Sequence, residues 1–288
     1  MTSILTHECE SGQGHINVSQ ARVIVVGNEK GGAGKSTIAI HLMTGLAWQD
    51  ARVAVVDLDL RQQSFGRFLA SRRKWLEAQG VSAPMPAEVR LGDDATKAPP
   101  EEIVARFEAA LGEARAAADF VIIDTPGGDT PVSRAAHACA DLVVTPMNDS
   151  FVDFDLLGTV DPVTLELGRP SIYAETVWNA RKTRALADGR SIDWIVLRNR
   201  LAVTEARNRK RLDERIEALS RRVGFRVGPG LRDRVIYREL FPFGLTVADL
   251  SPQIRPVSVS LAHVAARQEL RSLMQALNLG GHTTAEAA

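Results

Sequence analysis

The sequence predicts an α/β fold in which a doubly wound, mostly parallel sheet carries helices on both faces. Short β-branched runs such as "RVIVVG" and "ARVAVVDLDL" lack the alternation of apolar and polar residues that a half-exposed strand shows. Helical segments separate these runs, and a glycine-rich stretch joins the first run to the first helix. Strands that are buried on both faces and linked by helices form parallel sheets.

Length and composition favour one large domain in a reducing compartment. The chain has 288 residues, and 45% of them are hydrophobic, which is enough for a sizeable core. Its two cysteines, Cys9 and Cys139, provide neither a disulfide framework nor paired metal ligands, so we expect a cytoplasmic protein. The first twenty residues do not resemble a secretory signal, and no apolar run reaches the length of a membrane span. We predict a disordered leader at 1–20, one domain at 21–279 with an insertion at about 150–192, and a disordered tail at 280–288.

The predicted elements alternate along this domain. Strands are expected at "RVIVVGN", "ARVAVVDLDL", "DFVIIDTP", "ADLVVTP" and "IDWIVLRN". Helices are expected at "TIAIHLMTGLAWQ", "SFGRFLASRRKWLEAQ" and "EEIVARFEAALGEARAA", while the prolines between 81 and 100 predict an irregular excursion. The last helix has Leu261 and Val264 on one face and Leu270 and Leu273 on the other, so we expect it to be buried rather than to bind a membrane.

A basic segment stands out from a chain whose net charge is zero. Between Arg181 and Glu239 there are 17 Lys and Arg residues against 8 Asp and Glu. One helix in this segment has an apolar face formed by Leu212, Ile216, Leu219 and Val223. Four arginines lie on or near one flank of that helix, namely Arg207, Arg211, Arg215 and Arg222. We predict that they bind the backbone of duplex DNA without sequence preference; the alternative is a solvated charged helix.

The stretch "NEKGGAGKST" lies between a strand and a helix, where a phosphate-binding loop belongs. Glycines let backbone N–H groups converge on phosphate oxygens, and the start of a helix adds a favourable partial charge. Lys35 is then expected to reach the β- and γ-phosphates, and the Ser36 hydroxyl to bind Mg²⁺. Glu29 occupies the first glycine position of the common pattern, and a second lysine, Lys30, follows it. The expected nucleotide-binding residues of the loop are Gly31, Gly32, Ala33, Gly34, Lys35, Ser36 and Thr37.

The segment "KGGAGKST" resembles the deviant Walker A motif of the ParA/MinD family of dimerising P-loop ATPases. The resemblance implies ATP and Mg²⁺ as cofactors and a homodimer that forms when ATP is bound. In this family the first lysine, Lys30 here, reaches the phosphates held by the partner subunit, where it would stabilise charge as an arginine finger does. The expected catalytic residues are therefore Lys30, Lys35 and Asp59.

Three further segments match the family in order along the chain. In "VVDLDLR", Asp59 matches the residue that orients the attacking water. Asp57 ends the same strand, and the alternative interpretation is that it is a solvated acid. In "FVIIDTPGG", the resemblance implies that Asp124 holds Mg²⁺ through water and that Gly127–Gly128 offers N–H groups to the γ-phosphate. Asn199 in "VLRNRL" matches an asparagine that reads adenine, although an asparagine after a strand is also an ordinary turn residue.

Segments along most of the chain, among them "DTPGGD", "VTPMNDSFVDFDLLGTVDPVTLEL" and "GPGLRDRVIYRELFPFGLT", are similar to one branch of this family, the ATPases that position the division site. The similarity implies recruitment by a ParB-type partition protein and interference with assembly of the tubulin-like protein FtsZ. It also implies association with the nucleoid and the cell poles. A ParA-type partition ATPase for chromosomes, plasmids or other cargo shares every nucleotide motif and is one alternative. An ATP-dependent metabolic synthetase on the same scaffold is another.

Overall fold

The computed structural model describes residues 21–148, 153, 156–160, 167–201, 206–251, 254 and 260–279. Within these residues, seven parallel strands form one sheet in the order β3-β2-β4-β1-β5-β8-β9, and β6 pairs with β7 in a separate antiparallel pair. The strands are β1 (Arg22–Val26), β2 (Val53–Asp57), β3 (Ala87–Val89), β4 (Phe120–Asp124), β5 (Leu142–Asn148), β6 (Gly158–Val160), β7 (Leu167–Pro170), β8 (Asp193–Asn199) and β9 (Arg226–Val227). The predicted α/β fold with a parallel sheet is confirmed.

Helices cover both faces of the sheet. They are α1 (Lys35–Ala47), α2 (Ser64–Gln79), α3 (Pro100–Ala117), α4 (Pro131–Ala138), α5 (Ile172–Asp188), α6 (Ala206–Val223), α7 (Ile236–Glu239) and α8 (Leu261–Ala276). Successive residues of β1 point to opposite faces: Val23 and Val25 pack in the core beneath α3 to α6, and Ile24 and Val26 pack beneath α1, α2, α7 and α8. This two-sided burial explains why the strand sequences are apolar throughout.

The parallel register brings the ends of three strands to one level. Val26 at the end of β1 pairs with Asp124 at the end of β4, and Asp124 pairs in turn with Asp57 at the end of β2. In open α/β sheets, ligands bind outside the carboxyl ends of the strands. The two aspartates and the glycine-rich loop after β1 therefore share the edge where a ligand site is expected.

Two parts of the sequence prediction need correction. The excursion between 81 and 100 contains the edge strand β3, whose short sequence "AEV" has no apolar run that would indicate a strand. In α8, Leu270 and Leu273 are buried as expected, but Leu261 is 89% exposed and Val264 is half-exposed. The prediction that both faces of α8 are buried was wrong, because the outer face of its first turns is exposed to solvent.

The predicted leader and tail lie outside the described residues. No helix in the described part of the chain is long and apolar enough to cross a membrane.

Candidate nucleotide-binding site

The loop between β1 and α1 has the backbone geometry of a phosphate cradle. Gly32 and Gly34 have φ angles of 76° and 90°, in the left-handed region that glycine adopts without strain. Helix α1 begins at Lys35, and in the described part of the chain no side chain caps the N–H groups of its first turn. Uncapped N–H groups at the start of a helix are a ready anion-binding site.

Lys35 lies beneath this loop. Its side chain is buried, and its ammonium donates a hydrogen bond of 3.0 Å to the carbonyl oxygen of Lys30. Burial lowers the pKa of Lys35, while the charges of Asp124 and Asp59 act in the opposite direction. The ammonium thus sits among the groups that are expected to hold a nucleotide and its cation.

Lys30 has different surroundings from Lys35. Its side chain is 39% exposed, and its ammonium lies 2.9 Å from a carboxylate oxygen of Asp153. The other oxygen of Asp153 accepts a hydrogen bond from the backbone N–H of Asn148, at the end of β5. The Asp153 side chain is only 10% exposed, so this carboxylate is fixed on two sides.

Asn28 is a site residue that the sequence analysis missed. Its side chain is buried, donates to the carbonyl oxygen of Pro146 in β5, and accepts a 2.8 Å hydrogen bond from the N–H of Lys30. Asn28 therefore ties the start of the loop to the neighbouring strand. The sequence feature that could have indicated this role is the polar Asn28 at the end of the apolar run "RVIVVGN".

Asp124 is fully buried at the end of β4. Among the described residues, neither of its carboxylate oxygens has a hydrogen-bond partner of normal geometry. Burial, reinforced by the nearby charges of Asp57 and Asp59, raises the pKa of Asp124 to about 8, although the Ser36 hydroxyl and Lys35 oppose the shift. A buried carboxylate without partners is a costly arrangement that a cation and its water shell would relieve.

Asp57 and Asp59 form one turn with separate roles. Asp57 accepts hydrogen bonds from the N–H groups of Asp59 and Phe65, each at 3.0 Å, and so connects the strand end to the start of α2. Burial raises the pKa of Asp57 to about 6. Asp59 is half-buried and accepts a hydrogen bond from the N–H of Gln62. The interpretation of Asp57 as a solvated acid was therefore incomplete, because it also organises the turn that carries Asp59.

The segment after β4 packs directly against the phosphate loop. A Cβ atom on Gly127 would lie 3.3 Å from the backbone nitrogen of Gly31, and Gly128 has a φ of 98°. The N–H and hydroxyl of Thr125 both donate to the carbonyl oxygen of Val26. Gly127 therefore lies against the loop, and the contribution of N–H groups from Gly127–Gly128 to the γ-phosphate stays a prediction.

Asn199 also contacts the loop. Its amide nitrogen donates to the carbonyl oxygen of Ala33 at 2.9 Å, and its amide oxygen accepts from the N–H of Arg200. A side chain at position 34 would overlap this amide. Adenine recognition by Asn199 stays a prediction, and it would use the second N–H and the second oxygen lone pair of the amide, which these two bonds do not occupy.

The predicted DNA-binding arginines lie on α6, away from the loop in sequence. Ile216 and Leu219 are buried, as the predicted apolar face requires, while Arg215 is half-buried and Arg222 is exposed. The side chains of Arg207, Arg211 and Leu212 lie outside the described residues. The DNA-binding role of the four arginines stays a prediction.

Within the described residues no three or more His, Cys, Asp or Glu side chains are grouped closely enough to hold a metal ion by themselves. A cation here would draw its remaining ligands from Ser36, phosphate oxygens and water, which is how Mg²⁺ is usually held beside a nucleotide.

Comparison with known families shows the family of the chain. The family described as ATPase MipZ matches residues 22–281. The chain belongs to the MipZ family. Membership makes it an ATPase and a positioning or partition ATPase of the ParA/MinD type, in the branch that the sequence motifs indicated.

Solved structures share the fold at low sequence identity. An ATP complex of McdA from Cyanothece is 16% identical, with a TM-score of 0.58, covering 91% of this chain and 98% of that one. The septum site-determining protein MinD from Pyrococcus horikoshii OT3, complexed with Mg-ADP, is 19% identical, with a TM-score of 0.55, covering 92% of this chain and 100% of that one.

One relative was found by sequence. The iron-sulfur cluster carrier protein of Mycobacterium leprae is 33% identical over 66 residues, which is 23% of this chain and 17% of that protein.

Proposed function

We propose that this chain is an ATP-dependent dimerising switch that binds duplex DNA without sequence preference and positions the division site by inhibiting FtsZ assembly. The observation that carries the proposal is the contrast between the two lysines of the loop. Lys35 is buried beneath its own loop, whereas Lys30 lies at the surface, 39% exposed. A surface lysine in a phosphate loop is suited to reach phosphates of a second subunit.

The groups of the chain suit a nucleotide with Mg²⁺. The uncapped N–H groups of α1 and the ammonium of Lys35 would hold the phosphates. Ser36 and Asp124 would hold the cation, with Asp124 acting through water, and the unpartnered buried carboxylate of Asp124 supports this assignment. When bound, Mg²⁺ would neutralise charge between the β- and γ-phosphates. Asn199 would read adenine from the far side of the loop.

Asp59 would orient the attacking water, since it lies in a turn that Asp57 holds in place. Hydrolysis in such a switch is slow and ends the dimeric state, so turnover acts as a timer. Lys30 of each subunit would stabilise the transferred charge in the other subunit and make the closed dimer depend on triphosphate.

DNA binding would use the flank of α6 that carries Arg207, Arg211, Arg215 and Arg222. Dimerisation doubles this basic footprint, so affinity would rise steeply through avidity. Recruitment by a ParB-type protein, inhibition of FtsZ, and association with the nucleoid and the poles are supported by family membership.

The decisive experiment combines the purified chain with FtsZ and measures polymer length with ATP and with ADP. We expect shorter polymers with ATP, no effect with ADP, and no effect of the Lys35→Ala variant with either nucleotide. If the ATP-bound dimer does not change the length of FtsZ polymers but still binds DNA in an ATP-dependent way, a ParA-type cargo ATPase would be favoured. Fast ATP turnover with a small substrate and without DNA would favour a synthetase.

A further inference from the structure

A cavity on the surface lies away from the phosphate loop. It has a volume of about 440 Å³ and opens between the β6–β7 pair, α5 and α6. Its floor consists of buried apolar side chains, including Leu157, Ala174, Leu219 and Val223. At its rim, Trp178 leaves 55% of its surface exposed, although a tryptophan ring is among the largest apolar groups a side chain can bury. An apolar floor with an exposed tryptophan is typical of a binding site.

The charged residues around this cavity are mostly basic. Among the described lining residues, Arg169, Lys182 and Arg222 face one carboxylate, that of Glu175. These cations come from three different elements, β7, α5 and α6, so the fold rather than one helix sequence brings them together. A ligand that complements this surface carries negative charge around an apolar group.

We propose that this cavity binds an acidic peptide segment of a partner protein, with one bulky apolar side chain of the peptide in the cavity beside Trp178. Duplex DNA presents phosphates to such a rim but has no apolar group that fills a concave floor. A peptide supplies both an apolar side chain and negative charge, and acidic side chains on either side of the apolar anchor pair with Lys182 in the field of the neighbouring arginines. Buried apolar anchors supply most of the affinity of such interfaces, and surrounding charges supply specificity and association rate.

The cavity also connects the proposed partner to the proposed DNA surface, because Arg222 belongs to both. A bound acidic peptide would cover Arg222 and compete with DNA for it. Peptide binding itself requires neither nucleotide nor DNA, so its test is separate from that of the DNA-binding proposal.

The test uses the full chain and a short fluorescein-labelled peptide with a central Leu–Phe pair flanked on each side by Glu and Asp. Fluorescence anisotropy would measure binding to the unchanged chain and to Trp178→Ser, Lys182→Glu and Lys97→Glu. Trp178 and Lys182 are exposed, so their substitution is not expected to unfold the chain. Lys97 is an exposed lysine beside the opposite edge of the sheet and provides the same charge change outside the cavity. Peptides with Ser for the central pair, or Lys for the acids, serve as ligand controls.

We expect saturable binding of the acidic peptide, weakened about tenfold by Trp178→Ser and by Lys182→Glu, which is the scale of a hot-spot residue. Lys97→Glu should bind as the unchanged chain does, and both control peptides should bind weakly. Absence of saturable binding, or binding that neither cavity substitution alters, would overturn the proposal. Failure of the peptide to bind, together with weaker duplex DNA binding by Lys182→Glu, would assign the rim to nucleic acid instead.

Discussion

The ammonium of Lys30 lies 2.9 Å from a carboxylate oxygen of Asp153, a residue 123 positions away in the chain. The lysine expected to act on the partner subunit's nucleotide is therefore paired within its own subunit. Lys30 is more than one-third exposed, so solvent screens this pair, and its contribution is of the order of 0.5–1 kcal/mol.

Replacing Asp153 by Asn should strengthen ATP-dependent dimerisation, because Lys30 loses a charged competitor for the partner's phosphates. Each subunit of the dimer contributes one such pair, so the screened energy of the two pairs corresponds to about a five- to thirtyfold lower dimer Kd. Sedimentation equilibrium with a slowly hydrolysed ATP analogue measures it. Asp119→Asn is the matched control, since Asp119 also combines an ion pair with a backbone N–H bond. Weaker dimerisation of Asp153→Asn would show that this ion pair supports the dimer instead of opposing it.

Substitution of each lysine should separate nucleotide binding from dimerisation. Lys35→Ala should weaken nucleotide binding by roughly 10- to 100-fold, the scale expected when a charge-assisted hydrogen bond is removed. Lys30→Ala should leave nucleotide binding nearly unchanged and prevent the ATP-dependent dimer. Calorimetric titration and sedimentation measure the two properties, with Lys74→Ala, an exposed lysine on α2, as control. Normal dimers of Lys30→Ala would remove the role of Lys30 in the partner's site.

Asp59 is expected to act in ATP hydrolysis and not in nucleotide binding. Asp59→Ala should slow ATP hydrolysis by ~10²-fold, the usual scale for removal of a general base, while nucleotide binding persists. The variant should then accumulate as a DNA-bound dimer and, in cells, block division and produce filaments. ATPase rate, dimer fraction and cell length are measured on the same variant. A slow but monomeric protein would break the link between hydrolysis and dimer lifetime, and a dimeric variant with normal cell length would exclude the division role.

The buried carboxylate of Asp124 predicts a pH-dependent stability. Its folded-state pKa of about 8 lies above the ordinary value of 3.8, so the folded chain binds more protons between these pH values. This contribution to stability is complete below about pH 4 and is lost as the pH rises through about 8. Asp57, whose pKa is raised to about 6, acts in the same direction over a narrower range.

Asp124→Asn should therefore raise the Tm of the chain without nucleotide or Mg²⁺ at pH 8 by more than the roughly 2–4 °C that corresponds to 1 kcal/mol in a chain of this size. It should also flatten the fall of the Tm between pH 5 and 8. The same variant should bind Mg-ATP more weakly than the unchanged chain. Scanning calorimetry across this pH range measures the first effect, with the exposed Asp93→Asn as control. If the Tm of Asp124→Asn falls with pH as steeply as that of the unchanged chain, the carboxyl of Asp124 does not titrate between pH 5 and 8.

Arg222 provides the clearest test of the DNA-binding surface, because its side chain is exposed whereas that of Arg215 is half-buried. Arg222→Ala should weaken binding of the ATP-bound form to all duplex sequences alike. It should also reduce the slope of log K against log salt by about 0.9 for each phosphate that the protein no longer neutralises. Filter binding over a salt series measures both, with Arg73→Ala on α2 as control. Equal DNA binding by ADP-bound and ATP-bound protein would contradict the switch.

Local motifs predicted the parts of the fold and site that depend on short stretches of sequence. The apolar strands, the loop around Lys35, and Asp124 at a strand end all follow from patterns within about ten residues. Asp153 and Asn28 did not, because their roles depend on contacts with residues far along the chain. The exposed Leu261 was mispredicted for a related reason: helical periodicity shows which residues share a face but not where the core ends.

Every polar group of Lys30 is engaged within its own subunit: its N–H by Asn28, its carbonyl oxygen by Lys35, and its ammonium by Asp153. A phosphate that draws the Lys35 ammonium toward itself removes the donor from the Lys30 carbonyl. Lys30 then loses one of its three interactions when a nucleotide binds. Lys35 would in this way sense the occupancy of its own site and Lys30 would signal it to a second subunit, so the hydrogen bond between the two lysines would couple the two sites.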